Sequence, residues 1–147
     1  MVLSIAATDY TIEGKMERDF IMKLFHIKPV YAHCDLPCGV YDPAQARIEA
    51  ESVKAMMQKY EGLDEHNKLR AVVLIEQRAE LVKQHLWVLW TDYFKPPHLE
   101  KYPDLHEKFW LATKQAGECK HHMDVAEADK LLAMIDEIAE IFWETKK

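Results

Sequence analysis

Residues 65–90, EHNKLRAVVLIEQRAELVKQHLWVLW, decide the fold. Leu69, Val72, Ile75, Ala79, Val82, Leu86 and Leu89 recur at spacings of three and four without a gap, which traces one face of an α-helix. Neither Gly nor Pro interrupts the stretch, so nothing breaks the backbone ladder. A one-sided apolar stripe of this length has to be covered by other helices.

The chain on either side supplies them. Upstream, Asp42 followed by Pro43 is a helix start, an N-cap with proline at the first helical position. Ala46, Ala50, Val53, Met57 and Tyr60 then form an apolar face that should end near Tyr60, before Gly62. Downstream, Pro96, Pro97 and Pro103 exclude a continuous helix, and residues 92–103 read as a loop. A third helix is expected from Pro103 through Leu105, Phe109, Ala112 and Ala116, stopped by Gly117. A fourth opens at Asp124, where Glu127 completes a capping-box pattern, and carries Val125, Ala128, Leu132, Ile135, Ala139 and Phe142. Four amphipathic helices with short connections predict an all-α, up-down-up-down four-helix bundle.

Composition agrees. A chain of 147 residues suits one domain, and 49% hydrophobic residues are enough for a packed core. Only four glycines favour helix over turn-rich β structure. A net charge of −6 argues against a nucleic-acid surface. No apolar run approaches a membrane span, so no membrane partner is expected. Three cysteines are an odd count and fit a reducing, cytoplasmic setting better than a disulfide framework. Residues 21–27 are apolar but broken by Lys23 and His26, which is a poor secretion signal.

Immediately before the first helix lies HCDLPCGVYDP, residues 33–43, where soft metal ligands concentrate. Pro37 and Gly39 make it a compact hook in which the sulfurs of Cys34 and Cys38 can turn inward. The Leu36–Pro37 bond is open to either isomer. Two thiolates and the His33 imidazole suit a borderline-soft transition metal but fall one short of a closed zinc site. If the chain were cut between Ala32 and His33, the new amine and the Cys34 amide nitrogen would close a five-membered chelate ring. The Cys34 amide and its own sulfur would close a second. With Cys38 this makes a plane of two nitrogens and two sulfurs, approached axially by the imidazole, a preference of Ni(II) or Cu(II). On spacing alone, C-x3-C also fits a pair of inert thiols, and it is not the C-x-x-C redox spacing.

The whole stretch resembles the nickel-binding hook of nickel-containing superoxide dismutases. The likeness continues into AQARIEAESVKA (44–55) and returns in EQRAEL (76–81), DYFKPPH (92–98), KYP (101–103) and IFWETKK (141–147). It implies one nickel ion per chain, cycling between Ni(II) and Ni(III), with His33 (amine and imidazole), Cys34 (amide and thiolate) and Cys38 (thiolate) as ligands. It implies that Glu49 and Arg78 orient the His33 imidazole, that Tyr41 and Tyr93 line the approach and bind small anions or water, and that Asp35 holds the hook. Lys95 would add local positive charge for superoxide. Taken alone, Glu49 and Arg78 read as solvated helix charges, and Tyr41 and Tyr93 as packing residues.

The resemblance further implies a leader, residues 1–32, removed by a dedicated peptidase, then a hook (33–41) and the bundle (about 42–147). Such leaders are usually shorter, and Met16 and Met22 are alternative starts. A homohexamer is implied too, with hooks packed against neighbouring subunits. Trp87, Trp90, Trp110 and Trp143 exceed what one small bundle buries, so some belong at subunit contacts. A non-catalytic nickel or copper carrier using the same thiolates, or a thiol oxidoreductase using Cys34 and Cys38, are the other readings. Cys119, beside Lys120, His121 and His122, reads as a free thiol near a loop, or less simply as part of a second metal site. His66, His85, His98 and His106, like His121 and His122, read as surface or core histidines.

Overall fold

The computed structural model describes residues 39–147, and those residues are helical with short connections. The elements are α1 (Ala44–Lys59), a 3-10 turn (Tyr60–Gly62), α2 (Glu65–Val88), a wide π turn (Leu89–Tyr93), α3 (Pro96–Lys101), α4 (Leu105–His121) and α5 (Val125–Thr145). Helix α1 packs on α2, α2 on α4, α4 on α5 and α5 on α1. Chain neighbours are therefore spatial neighbours around a closed square, the up-down-up-down bundle expected from the stripes. Residues 41–147 make up this compact unit. Among the described residues, no helix is long and apolar enough to cross a membrane.

The helix starts follow local chemistry. The Asp42 carboxylate accepts from the Ala44 N–H at 2.8 Å, and Pro43 already accepts the first helical bond, from Arg47. Asp64 caps α2 by accepting from the Asn67 N–H at 2.9 Å. Asp124 caps α5 through Ala126. The other half of that capping box is not made, because Glu127 accepts instead from Gln115 and Lys130.

The core interleaves small and large side chains. Ala46, Ala50, Ala112 and Ala116 are fully buried and let helices approach, while Leu86, Phe109, Leu131, Ile135 and Phe142 fill the space between them. Ion pairs lie along the seams. Lys120 of α4 reaches Glu80 at 2.6 Å and Glu76 at 3.0 Å on α2, Arg47 of α1 reaches Asp136 on α5, and Lys108 of α4 reaches Glu137 on α5.

Several expectations are corrected. The buried face of α2 is Ala71, Ile75, Ala79, Val82 and Leu86, so Leu69 and Val72 point outward, Leu69 being 71% exposed. Bulk made them look like core, but it is the small Ala71 that is buried. On α5 the fully buried positions are Leu131 and Ile138, where the spacing suggested Leu132 and Ala139. That helix has a wide apolar sector, and packing chose its centre. Gly117 does not stop α4, which continues to His121. A helical glycine ends a helix only if the next turn has somewhere better to bond, and the His122 N–H still bonds Glu118. Residues 92–103 are not all loop. The Phe94 N–H closes the π turn on the Leu89 carbonyl at 3.1 Å, and Pro96–Pro97 opens α3, since proline's missing N–H is harmless in a first turn.

Candidate functional site

Of the residues singled out in the sequence that fall within the described part, Glu49, Arg78, Tyr41 and Tyr93 form two pairs. Glu49 sits midway along α1 and Arg78 on α2. Arg78 Nη1 donates to Glu49 Oε2 at 3.0 Å and to Oε1 at 3.3 Å. The Glu49 side chain is only 15% exposed, whereas Arg78 is 43% exposed. The pair thus holds a mostly covered carboxylate in one orientation.

Tyr41 precedes α1 and Tyr93 ends the π turn, yet their ring centroids are 5.6 Å apart and tilted by 55°. The bundle brings them together because α1 begins where α2 and α5 end. Tyr93 is held on several sides. Phe142 lies 4.4 Å away, Phe94 packs edge-on at 5.0 Å, and His98 stacks at 5.8 Å. Its hydroxyl is 2.7 Å from Thr145 Oγ1. The Lys146 ammonium donates to the Tyr41 carbonyl at 3.3 Å and sits 4.6 Å from the Phe142 ring centre, a cation–π distance. Lys95 is exposed, and its ammonium donates to the Asp92 carbonyl at 2.7 Å.

Thr145, Lys146 and His98 carry contacts that the sequence reading did not assign. IFWETKK was singled out as a segment, and Thr145 lies one turn beyond Phe142. Helical spacing alone could have put the two on one face.

His33, Cys34, Asp35 and Cys38, the Leu36–Pro37 bond and residues 1–32 lie outside the described residues. Gly39 is within them and has φ +68°, the left-handed region that glycine adopts without strain. Among the described residues, no three His, Cys, Asp or Glu side chains converge as a metal site. That removes the second site considered at Cys119. Cys119 is a free thiol near the end of α4, as expected, but it is buried in the core, while His121 and His122 are exposed. Burial, with Glu127 and Glu118 nearby, pushes its thiol up to about 11, which leaves it neutral and unreactive. The soft donors that the sequence concentrates in the hook, His33, Cys34 and Cys38, would by their chemistry suit a transition metal such as nickel.

A four-helix bundle carrying such a segment directly ahead of its first helix is a helical metalloprotein. The family model for nickel-containing superoxide dismutase matches residues 28–146, hook and bundle together. The chain is 60% identical over 119 residues to the nickel superoxide dismutases of Streptomyces coelicolor and Streptomyces seoulensis. In each case the match spans 80% of this chain and 91% of the relative. Among solved structures, native nickel superoxide dismutase superposes with a TM-score of 0.75 at 59% identity, over 78% of this chain and 98% of that one. Its apo form gives 0.71 at 56% identity, over 73% and 97%. The chain belongs to the nickel-containing superoxide dismutase family.

Proposed function

We propose that this protein is a nickel-dependent superoxide dismutase, which converts two superoxide anions and two protons to dioxygen and hydrogen peroxide after the chain is cut before His33. The observation that carries this reading is the family match over residues 28–146, which takes in the HCDLPCG hook and the bundle as one unit. Nickel, when bound, supplies a one-electron couple between its +2 and +3 states.

The chain's own residues do the rest. His33, Cys34 and Cys38 would hold the ion, and the anionic sulfur and amide donors lower the potential needed to oxidise it. The cut is required because the His33 nitrogen is an amide, not an amine, until Ala32 is removed. Glu49, fixed by Arg78, would orient the His33 imidazole. Tyr41 and Tyr93 would line the approach and bind water or small anions, Lys95 would attract superoxide, and Asp35 would brace the hook.

The leader would be residues 1–32, processed by a dedicated peptidase in the cytoplasm. The working assembly would be a homohexamer. Supporting it, Trp87, Trp110 and Trp143 are each more than 40% exposed, and Leu69, Val73 and Ile48 are also exposed, far more apolar surface than a solitary bundle needs. Trp90 packs against the core and donates to His106, so it is not part of that surface.

Intact mass and metal content of protein from nickel-supplied cells test the proposal. A chain beginning at His33 with about one nickel, the content of a single four- or five-coordinate site, and dismutase activity is the expected result. Full activity from the uncut chain, or tight nickel uptake without cutting and without activity, would refute it. The latter is the behaviour of a carrier.

A further inference from the structure

The Tyr93 hydroxyl and Thr145 Oγ1 are 2.7 Å apart, and by distance alone either oxygen could be the donor. A second bond settles the direction. Thr145 Oγ1 is also 2.7 Å from the Phe142 carbonyl oxygen, and a carbonyl can only accept. Threonine has one hydroxyl proton, so that proton goes to Phe142. Tyr93 is then the donor and Thr145 the acceptor. The phenol proton is directed at the last turn of α5 and is not available to a molecule arriving at the ring. Phe142, Phe94, His98 and Tyr41 all contact the Tyr93 ring, which prevents it from swinging away.

We propose that Thr145 is a positioning residue that fixes the hydrogen-bond polarity of Tyr93, so that the phenol oxygen meets incoming molecules as an acceptor. An acceptor favours a molecule that brings its own proton, such as water or hydrogen peroxide, over a bare small anion. Of the water and small anions proposed to reach Tyr93, Thr145 thereby favours the proton-bearing molecules at the phenol oxygen and disfavours bare anions such as azide, while attraction of superoxide is left to Lys95. The inference rests on the placing of Tyr93 beside the metal hook in the proposed function.

The test uses the processed, nickel-loaded enzyme with azide as the probe anion. In Thr145→Val, Tyr93 is free to donate outward, and the azide concentration that halves the rate should fall about fivefold, the worth of one hydrogen bond. Thr145→Ala should do the same if valine disturbs the helix end, and Thr145→Ser should keep the wild-type value. In a Tyr93→Phe background the Thr145→Val effect should vanish. Independently of activity, the 13Cζ resonance of Tyr93 in the uncut, nickel-free chain should move in Thr145→Val and stay in Thr145→Ser. If Tyr93→Phe alters azide inhibition but Thr145→Val and Thr145→Ala alter neither azide inhibition nor the resonance, the polarity inference is overturned and the proposed function stands. An equal Thr145→Val effect with and without the phenol overturns it as well. If Tyr93→Phe matches wild type in rate and in azide response, Tyr93 is not at the site, and both the placing and the inference fall.

Discussion

Breaking the Glu49–Arg78 pair should affect stability and activity by separable amounts. Removing one partner of a fully buried pair typically costs about 3–5 kcal/mol, whereas exposed pairs are worth about 0.2–1 kcal/mol. This pair lies between those limits, with Glu49 mostly covered and Arg78 nearly half exposed. Solvent screening at Arg78 therefore removes much of the Coulombic part. Arg78→Met, which leaves a covered carboxylate unpaired, should cost about 1–2 kcal/mol. Glu49→Gln keeps the shape and an accepting oxygen, and should cost about 0.5–1 kcal/mol. The double variant should be less destabilised than the sum, with a coupling of about 0.5–1 kcal/mol. Urea denaturation followed by far-UV circular dichroism on the uncut, nickel-free chain measures all three. In the processed enzyme, each single variant should lower nickel affinity or activity about 10- to 100-fold, the range seen when support for a metal-ligating histidine is lost. Additive, near-zero stability changes would refute the coupling of the pair. Destabilised variants with full activity and full nickel content would refute its role in orienting His33.

Three further outcomes are expected. Phe142→Ala removes a fully buried ring that also backs Tyr93 at 4.4 Å, so it should cost about 3–5 kcal/mol in urea denaturation and lower the rate of any enzyme that still folds. Gly117→Ala should raise the thermal midpoint, with a gain of about 0.5–1 kcal/mol. The site is helical, and the new methyl would meet only the Lys83 ammonium at 3.6 Å and its neighbouring carbon at 4.0 Å. A loss of stability would show that the groove beside Lys83 cannot take a methyl group. Well below the ordinary thiol pKa of about 8.5–9, the Cys119 thiol is neutral in both the native and the unfolded chain and contributes no pH dependence. Above it, the unfolded chain releases a proton that the native chain keeps. Stability should then fall toward pH 11 by up to about 2–3 kcal/mol, relative to a Cys119→Ala variant measured in parallel. Parallel curves for the two proteins would show that the thiol is not buried as described.

The helical stripes, the capping aspartates and the prolines were legible in the sequence because each acts through the chain within a turn or two. Asp42, Asp64 and Asp124 need only their own neighbours to cap. The hook was legible for a similar reason, since its donors crowd into six residues, 33–38. The roles proposed for Glu49, Arg78, Tyr41 and Tyr93 came from resemblance alone. As isolated residues they look like ordinary helix charges and packing aromatics.

The sequence by itself determined the class of fold, the number of long helices and the presence of a soft-ligand segment ahead of them. Only the tertiary structure decided which of several apolar residues face inward. Leu69 and Val72 are as apolar as their neighbours, yet they lie outside the buried face that includes Ala71. Only the tertiary structure could pair Glu49 with Arg78, or set Tyr41, Tyr93, Thr145 and Lys146 at one end of the bundle. These residues are separated by many turns of chain, and their contacts exist only once antiparallel helices have fixed one another's register. Periodicity reports the face a side chain occupies on its own helix, and packing alone reports what it meets there.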